Sequence, residues 1–314
     1  MRIAIIDCGT NTFNLLVGSV KPEGIVLDFK TKIPVKLGSG GFKDKVIEEK
    51  AFKRGFEALN TYKGVLEKMN LKEVYCFGTS ALRSAENADF FKQSVYVATN
   101  IFINIISGDS EAELIYSGVR EALTIHEPSL IMDIGGGSTE FIICNSDGLI
   151  WKHSYDIGAA RLLEWINPSD PIRPSEIQKT QEILRESLEE VFSMSRNLEV
   201  KTLIGSSGSF DTLASMVHHR FNKPLDFASK TFDFPVKETQ ILLDEIIEST
   251  YSERLKMPGM IEMRADMMVM SAQLMKFILE KGHMNCMKLS THALKEGAFY
   301  EISKNPEKWR KSSL

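Results

Sequence analysis

The chain has 314 residues, of which 43% are hydrophobic and 25% are charged, and its formal net charge is -4. These values are typical of a globular protein with room for two domains, and they argue against a strongly basic nucleic-acid-binding protein or a polybasic membrane protein. No apolar run reaches the roughly 18–20 residues of a membrane span, so we expect neither nucleic acid nor a membrane as a partner.

The first part of the chain predicts three strands followed by alternating helices and strands. In chain order, the predicted elements are strands at Ile3–Asp7, Phe13–Val20 and Ile25–Val35, a flexible loop at 38–41, a helix from about Glu48 to Asn70, a strand at Val74–Phe77, a helix from about Ala85, a strand at Ile101–Ile106 and a helix opened by a capping box at Ser110 and ending near Ile125.

A second pattern of the same kind begins near Ser129. Its predicted elements are strands at Leu130–Ile134, Glu140–Cys144 and Leu149–Tyr155, a long helix from Ser175, a strand at Thr202–Ile204 with a helix after it, a methionine-rich helix over about Glu262–Lys281 and a helical tail from Thr291. Three strands followed by alternation, twice over, predict an α/β protein with two similar domains that meet near residues 124–128.

The cysteines and the N-terminus indicate the compartment. The chain enters its first predicted strand at once, without a recognisable signal peptide. Four cysteines lie far apart and lack the spacing of a zinc or redox centre: Cys8, Cys76, Cys144 and Cys286. Buried free thiols in a reducing environment fit this pattern, so we expect a cytoplasmic protein.

One loop-and-strand signature occurs twice. Residues 6–17 (IDCGTNTFNLLV) align without a gap with residues 132–143 (MDIGGGSTEFII). Asp7 matches Asp133, and Gly9 matches Gly135. Two copies predict two related halves, each with an aspartate and a Gly/Ser/Thr loop directed at a shared phosphate.

Three loops have the composition of phosphate-binding turns, because consecutive backbone N–H groups in small-residue turns can approach an anion closely. They are Thr10-Asn11-Thr12, Gly135-Gly136-Gly137-Ser138 and Gly205-Ser206-Ser207-Gly208. The third lies between a strand and a helix, so the positive end of the helix adds to the attraction. Any one of these loops alone is equally a tight strand turn.

Four charged residues are candidates for the chemistry. Asp7 and Asp133 could anchor Mg²⁺, which prefers one or two carboxylates with waters and phosphate oxygens, or they could simply hydrogen-bond their own turns. Arg83 offers a planar grip on phosphate, although an arginine at a helix start is often only solvated. Glu111 could be a general base, although the first turn of a helix also favours glutamate through the macrodipole.

Together these motifs resemble the exopolyphosphatase/guanosine pentaphosphate phosphohydrolase (Ppx/GppA) family. The resemblance runs almost from end to end and rests on the ordered set Ile6–Thr12, Gly78–Arg83 with Asn87, Ser107–Ala112, Asp133–Glu140, Arg264–Asp266 and Leu294–Gly297. It implies an actin-like (ASKHA) fold in which residues 1–125 plus 298–314 and residues 126–297 form two RNase H-like domains, with the active site in the cleft between them.

The resemblance also implies roles for individual residues. Glu111 would activate water and Arg83 would grip phosphate, while Asp133, with Glu140 nearby, would hold Mg²⁺ or water. The Gly/Ser loops would cradle the phosphate chain. Mg²⁺ is the implied cofactor, with a monovalent cation such as K⁺ as a further candidate, and a homodimer is a further expectation.

The implied reaction is hydrolysis of a phosphoanhydride: release of terminal phosphate from inorganic polyphosphate, conversion of pppGpp to ppGpp, or both. Two rival functions stay open. The duplicated Asp-Gly loops also fit an ATPase or kinase on the same scaffold. Ser110 replaces the first glutamate of the usual pair, which leaves room for a sensor that binds pppGpp or ppGpp without turnover.

Other departures from the family pattern concern substrate identity more than reaction class. Thr10 and Thr12 stand where serines are usual, and Lys295 replaces an arginine. The third loop, Gly205–Gly208, lacks the usual Gly-Thr-Gly-Gly.

Overall fold

The computed structural model describes residues 2–21, 24–226 and 229–309. The chain divides into two compact units, Met1–Gly118 with Leu294–Leu314, and Val119–Ala293. The division after Gly118 lies N-terminal to the predicted boundary at 124–128, and the return to the first unit begins at Leu294 rather than at 298. This return coincides with the start of one continuous helix.

The first unit is a five-stranded sheet with helices. Numbered in chain order, its strands are β1 (Arg2–Cys8), β2 (Thr12–Lys21), β3 (Gly24–Pro34), β4 (Val74–Gly78) and β5 (Ile103–Ile105), and its helices are α1 (Glu49–Lys68), α2 (Ser80–Ser84), α3 (Ala88–Thr99), α4 (Gly108–Ala122, which continues into the second unit), α12 (Leu294–Lys304) and α13 (Pro306–Trp309). The sheet order is β3-β2-β1-β4-β5, with β2 antiparallel to β1 and with β1, β4 and β5 parallel.

The second unit is built on a six-stranded sheet. Its strands are β6 (Ser129–Ile134), β7 (Thr139–Cys144), β8 (Leu149–Tyr155), β9 (Thr202–Ser206), β10 (Thr231–Phe234) and β11 (Cys286–Ser290), and its helices are α5 (Ala159–Ile166), α6 (Pro174–Ser187), α7 (Glu189–Asn197), α8 (Ser207–Phe221), α9 (Val236–Glu248), α10 (Tyr251–Arg254) and α11 (Met268–Lys281). Its order β8-β7-β6-β9-β11 repeats that of the first unit, and β10 adds an antiparallel edge. The repeated order is that of two RNase H-like domains, so the predicted α/β actin-like fold is confirmed.

The parallel strands lie at the centre of each core. Residues 3–6 of β1 and all of β6 are buried on both faces, as expected for strands covered by helices on both sides. In the first unit, α12 crosses α4 closely: a Cβ on Gly297 would lie 1.7 Å from the carbonyl oxygen of Leu114. Only glycine permits this approach.

Several predicted helix limits are wrong. Helix α4 begins at Gly108 rather than Ser110, because the Ser107 hydroxyl accepts a hydrogen bond from the Ser110 amide and caps the helix. The methionine-rich helix begins at Met268, after a separate 3₁₀ turn at Glu262–Arg264. The long helix from Ser175 is two helices, α6 and α7. The helix predicted from about Ala85 is α3, which begins at Ala88, and the short helix α2 before it was not predicted.

The thiols agree with the sequence prediction. All four cysteines are free, and three of them are buried, with Cys286 half-buried. Within the described ranges, no helix is both long and apolar enough to cross a bilayer.

Candidate active site

Three segments of the first unit leave the same edge of its sheet. Strands β1, β4 and β5 run parallel, so the segments that follow them all start at their carboxyl ends. The loop with Thr10 follows β1, the short helix with Arg83 follows β4, and the helix with Glu111 follows β5. The fold therefore gathers three of the predicted site segments at one edge.

Arg83 and Glu111 form an ion pair at this edge. Arg83 Nη1 donates a hydrogen bond to Glu111 Oε2 at 2.9 Å and another to the Ile106 carbonyl at 3.1 Å. Glu111 is buried, with 8% of its surface exposed. The contact with the guanidinium fixes the position of the carboxylate that is the candidate general base. The arginine predicted to bind phosphate and the glutamate predicted to act as the base are thus in direct contact.

The two copies of the duplicated motif adopt the same local geometry. Asp7 lies opposite Asn14 across β1 and β2, and Asp133 lies opposite Glu140 across β6 and β7. A Cβ on either Gly9 or Gly135 would lie 2.9 Å from the carbonyl oxygen three residues further on. The shared register and turn support the duplication inferred from the sequence.

The first copy is a polar turn held by hydrogen bonds. Asn14 Nδ2 donates to Asp7 Oδ2 at 3.0 Å, and Thr10 is buried. The carbonyl of Asn11 accepts two backbone N–H groups, and Thr12 begins β2. Asp7 is therefore tied to the strand opposite it.

The loop of the second copy, Gly135–Ser138, is a turn that we call the nest, and its carbonyls accept hydrogen bonds from within the second unit. The carbonyls of Gly135 and Gly136 accept hydrogen bonds from the amides of Ala159 and Ala160, at 3.0 and 2.9 Å, at the start of α5. Arg161 Nε donates to the Gly137 carbonyl at 2.7 Å. Within the described part of the chain, nothing accepts from the Gly136 and Gly137 amides. These two N–H groups are therefore suited to an anion.

Close packing fixes this nest. A Cβ on Gly158 would lie 2.5 Å from the backbone of Gly136, so only glycine fits there. Arg161 is 5% exposed and pairs with Asp156 at 3.0 Å.

Glu140 is the most deeply buried of the candidate carboxylates. It is 1% exposed, and its Oε1 accepts hydrogen bonds from the hydroxyls of Ser138 and Ser154, both at 2.7 Å. This arrangement holds Ser138, the last residue of the nest, in place.

The third loop supports Asp133. The hydroxyls of Ser206 and Ser207 both donate to Asp133 Oδ2, at 2.6 and 2.8 Å. Ser207 has a φ of 67°, a left-handed conformation that is uncommon for serine and concentrates at functional sites. The structure therefore directs these hydroxyls, predicted to bind substrate, onto the predicted metal anchor.

The comparison with protein families identifies the chain. The family model described as the Ppx/GppA phosphatase family matches residues 16–305. The chain belongs to this family.

Relatives with similar sequences are named after two different activities. A Haemophilus influenzae protein that carries the provisional name exopolyphosphatase is 27% identical over 304 residues, which are 97% of this chain and 92% of that protein. A guanosine-5'-triphosphate,3'-diphosphate pyrophosphatase of Pseudoalteromonas translucida is 28% identical over 301 residues, which are 95% of this chain and 59% of that protein.

Solved structures of similar proteins include an exopolyphosphatase from Cytophaga hutchinsonii. It is 34% identical, with a TM-score of 0.93, and the match covers 97% of this chain and 98% of that chain. The similarity to this exopolyphosphatase extends over nearly the whole fold.

The donor set of this family member fits a metal ion only in part. The described ranges contain no group of three or more His, Cys, Asp or Glu residues that could hold a metal ion. Mg²⁺ nevertheless needs only one or two carboxylates when phosphate oxygens and waters complete its shell. Asp133, held by two hydroxyls, fits this requirement, whereas a cage formed by protein ligands alone does not.

Two arginines near the predicted site residues, the buried Arg161 and the half-buried Arg264, were not predicted as site residues. Arg264 lies against the third loop, because a Cβ on Gly208 would be 1.7 Å from its Nη2. Burial lowers the pKa of Arg264, and the charges of Asp211 and Asp133 partly offset this effect. Arg264 belongs to a motif that carried the family resemblance, so a signal existed. Arg161 had no signal beyond the small residues that precede it.

Proposed function

We propose that this chain is a phosphoanhydride hydrolase that releases the terminal phosphate of inorganic polyphosphate, converts pppGpp to ppGpp, or does both. The observation that carries this proposal is the ion pair of Arg83 and Glu111 at the strand ends of the first unit. A kinase transfers phosphate to a substrate hydroxyl, whereas hydrolysis requires an activated water. A buried carboxylate that is held in place beside an arginine suits the activation of water.

Glu111 is the proposed general base. Its carboxylate would accept a proton from the water that attacks the terminal phosphorus in line with the leaving oxygen. Arg83 would turn part of its hydrogen bonding from Glu111 to a phosphoryl oxygen when substrate binds. The loss of this partner would raise the proton affinity of Glu111 at the moment when the base is needed.

The loops and carboxylates would neutralise the phosphate oxygens. The amides of Gly136 and Gly137 would donate to them, as would polar groups of the Thr10–Thr12 loop. Asp133 would hold Mg²⁺, with Asp7 as a second candidate anchor. When bound, Mg²⁺ supplies positive charge to the phosphoryl oxygens and to the leaving group.

A phosphate-release assay on three substrates tests the proposal. Long-chain polyphosphate, pppGpp and ATP are compared in Mg²⁺ buffer, with the Glu111→Gln protein as the control. We expect release from polyphosphate, pppGpp or both, and little from ATP. Phosphate transfer from ATP to a small metabolite, with no release from the other two, would select the kinase. Tight binding of pppGpp or ppGpp without release over hours would select the sensor.

A further inference from the structure

A lysine-bearing loop lies between β3 and α1 in the first unit. Residues 35–47, which we call the basic loop, carry the exposed side chains of Lys36, Lys43 and Lys45 and one acidic residue, Asp44. Neither the predicted site residues nor the proposed mechanism uses this loop.

The basic loop is anchored by its apolar side chains. Those side chains alternate with the exposed lysines and are buried by 93% or more: Val35, Leu37, Phe42 and Ile47. Within the loop, the Val46 amide donates to the Gly41 carbonyl at 3.1 Å, and a Cβ on Gly41 would lie 1.9 Å from the Val46 carbonyl oxygen. The lysines therefore project from a compact frame.

The N-terminal end of the basic loop is hydrogen-bonded to the Thr10–Thr12 loop, the first of the predicted phosphate-binding loops. The amides of Val35 and Lys36 both donate to the Asn11 carbonyl, at 2.8 and 2.9 Å. The Gly38 amide donates to the Thr10 carbonyl at 3.2 Å. Lys36 is therefore held next to two predicted phosphate ligands.

The other end is bonded to the segment that follows Arg83. The Glu86 amide donates to the Lys45 carbonyl at 2.8 Å. Asn87 makes a reciprocal pair with Ile47, because its Oδ1 accepts the Ile47 amide at 2.8 Å and its Nδ2 donates to the Ile47 carbonyl at 3.0 Å. The basic loop thus connects the Thr10–Thr12 loop with the segment that follows Arg83.

Two of the lysines adopt a backbone conformation that disfavours a side chain. Lys36 has a φ of 47° and Lys45 a φ of 52°. Glycine or asparagine occupies this region more readily. Arg54 fixes the Lys36 end by donating to the carbonyls of Val35 and Lys36, at 2.6 and 3.0 Å. Residues held in such conformations by their surroundings concentrate at ligand-binding segments.

We propose that the basic loop binds the phosphates of a polyphosphate chain that lie beyond the terminal one, with Lys36, Lys43 and Lys45 as their ligands. This inference rests on the proposed function, because it extends the same substrate away from the reacting phosphorus. A linear polyanion carries a charge on every unit, and ammonium groups bind such charges without a fixed register. The loop therefore favours long chains over pppGpp or tripolyphosphate.

The test removes the three charges without straining the backbone. In the K36G/K43A/K45G variant, glycine accommodates the two left-handed positions. The matched control, K21A/K68A/K72A, removes three exposed lysines of the first unit outside the basic loop, at the end of β2, at the end of α1 and shortly before β4. Binding of long-chain polyphosphate and of tripolyphosphate is measured against salt concentration with Glu111→Gln as the common background, so that turnover does not interfere.

We expect the loop variant to bind long polyphosphate at least about fivefold more weakly than the control, and to lower the dependence of log affinity on log salt by about two. Tripolyphosphate binding should stay within about twofold in both variants. Equal affinity and equal salt dependence of the loop variant and the control would overturn the inference.

The two proposals can fail separately. A parent protein that releases phosphate from polyphosphate, with a loop variant that binds long chains normally, would overturn only the basic-loop site. A parent protein that releases no phosphate from polyphosphate or pppGpp, with a loop variant that still loses polyphosphate affinity, would overturn only the proposed hydrolysis.

Discussion

Arg83 Nη1 lies 2.9 Å from Glu111 Oε2, which joins the segments that follow β4 and β5. The two residues are 28 positions apart in the sequence, and the parallel strands bring them together. Their contact makes the arginine and the carboxylate a coupled pair, with consequences for how substitutions combine.

Substitutions of Arg83 and Glu111 should lower the enzymatic activity non-additively. Arg83→Ala should lower kcat/KM by about 100-fold, because it removes a phosphate ligand and the partner that positions Glu111. Arg83→Lys should restore little, since an ammonium group cannot reproduce the planar fork. The Arg83→Ala/Glu111→Gln double variant should be hardly slower than the slower single variant, as measured by steady-state phosphate release. Losses that multiply in full would show that the two residues act independently.

Asp133 should control the dependence on Mg²⁺. Asp133→Asn keeps an oxygen that can accept from the Ser206 and Ser207 hydroxyls but removes the charge that would hold the cation. We expect the Mg²⁺ concentration for half-maximal activity to rise by about 10–100-fold. The control is Asp147→Asn, at an exposed turn of the same unit. An unchanged Mg²⁺ titration would remove Asp133 from the proposed metal site.

Gly158 should be intolerant of a methyl group. Gly158→Ala would force the nest of Gly136 and Gly137 away from α5, with a stability cost of about 1–3 kcal/mol and weaker phosphate binding. The matched control is Gly64→Ala on α1, where a Cβ meets nothing within 4 Å. That control should stabilise the protein by roughly 0.5–1 kcal/mol in urea unfolding. Normal substrate binding by Gly158→Ala would contradict the proposed role of the nest.

The thiols should differ in reactivity. Burial raises the pKa of Cys144 to about 12 and, together with the hydrogen bond to Cys76, raises that of Cys8. These two thiols therefore stay protonated through pH 8–9, where unfolded thiols ionise. In a native alkylation time course at pH 8, followed by peptide mass spectrometry, we expect Cys286 to react first. Rapid labelling of Cys8 or Cys144 would contradict the packing around β1 or β7.

The architecture could be predicted from the sequence because the pattern of strands and loops is repeated. Apolar runs ending in Asp-x-Gly identified the ends of β1 and β6, and a cross-strand register now relates Asp7 to Asn14 as it relates Asp133 to Glu140. Local patterns of this kind are readable because both strands of each hairpin are contiguous in the chain.

The details of the candidate site that could not be predicted from the sequence depend on contacts between distant segments. The support of Asp133 by Ser206 spans 73 positions, and the packing of Arg264 on Gly208 depends on how two loops meet. The start of α4 was misplaced for a local reason: Ser107 and Ser110 are both possible caps, and periodicity does not choose between them.

The proposed role of Glu111 is tested most directly by rapid-quench phosphate release from the parent and from Glu111→Gln, at saturating Mg²⁺ and with substrate binding measured in parallel. We expect Glu111→Gln to slow the chemical step by about 10²–10⁴-fold. Its affinity for polyphosphate or pppGpp should stay within about threefold of the parent, because the loops that hold the phosphates are intact. Release by Glu111→Gln at the parental rate would contradict the account.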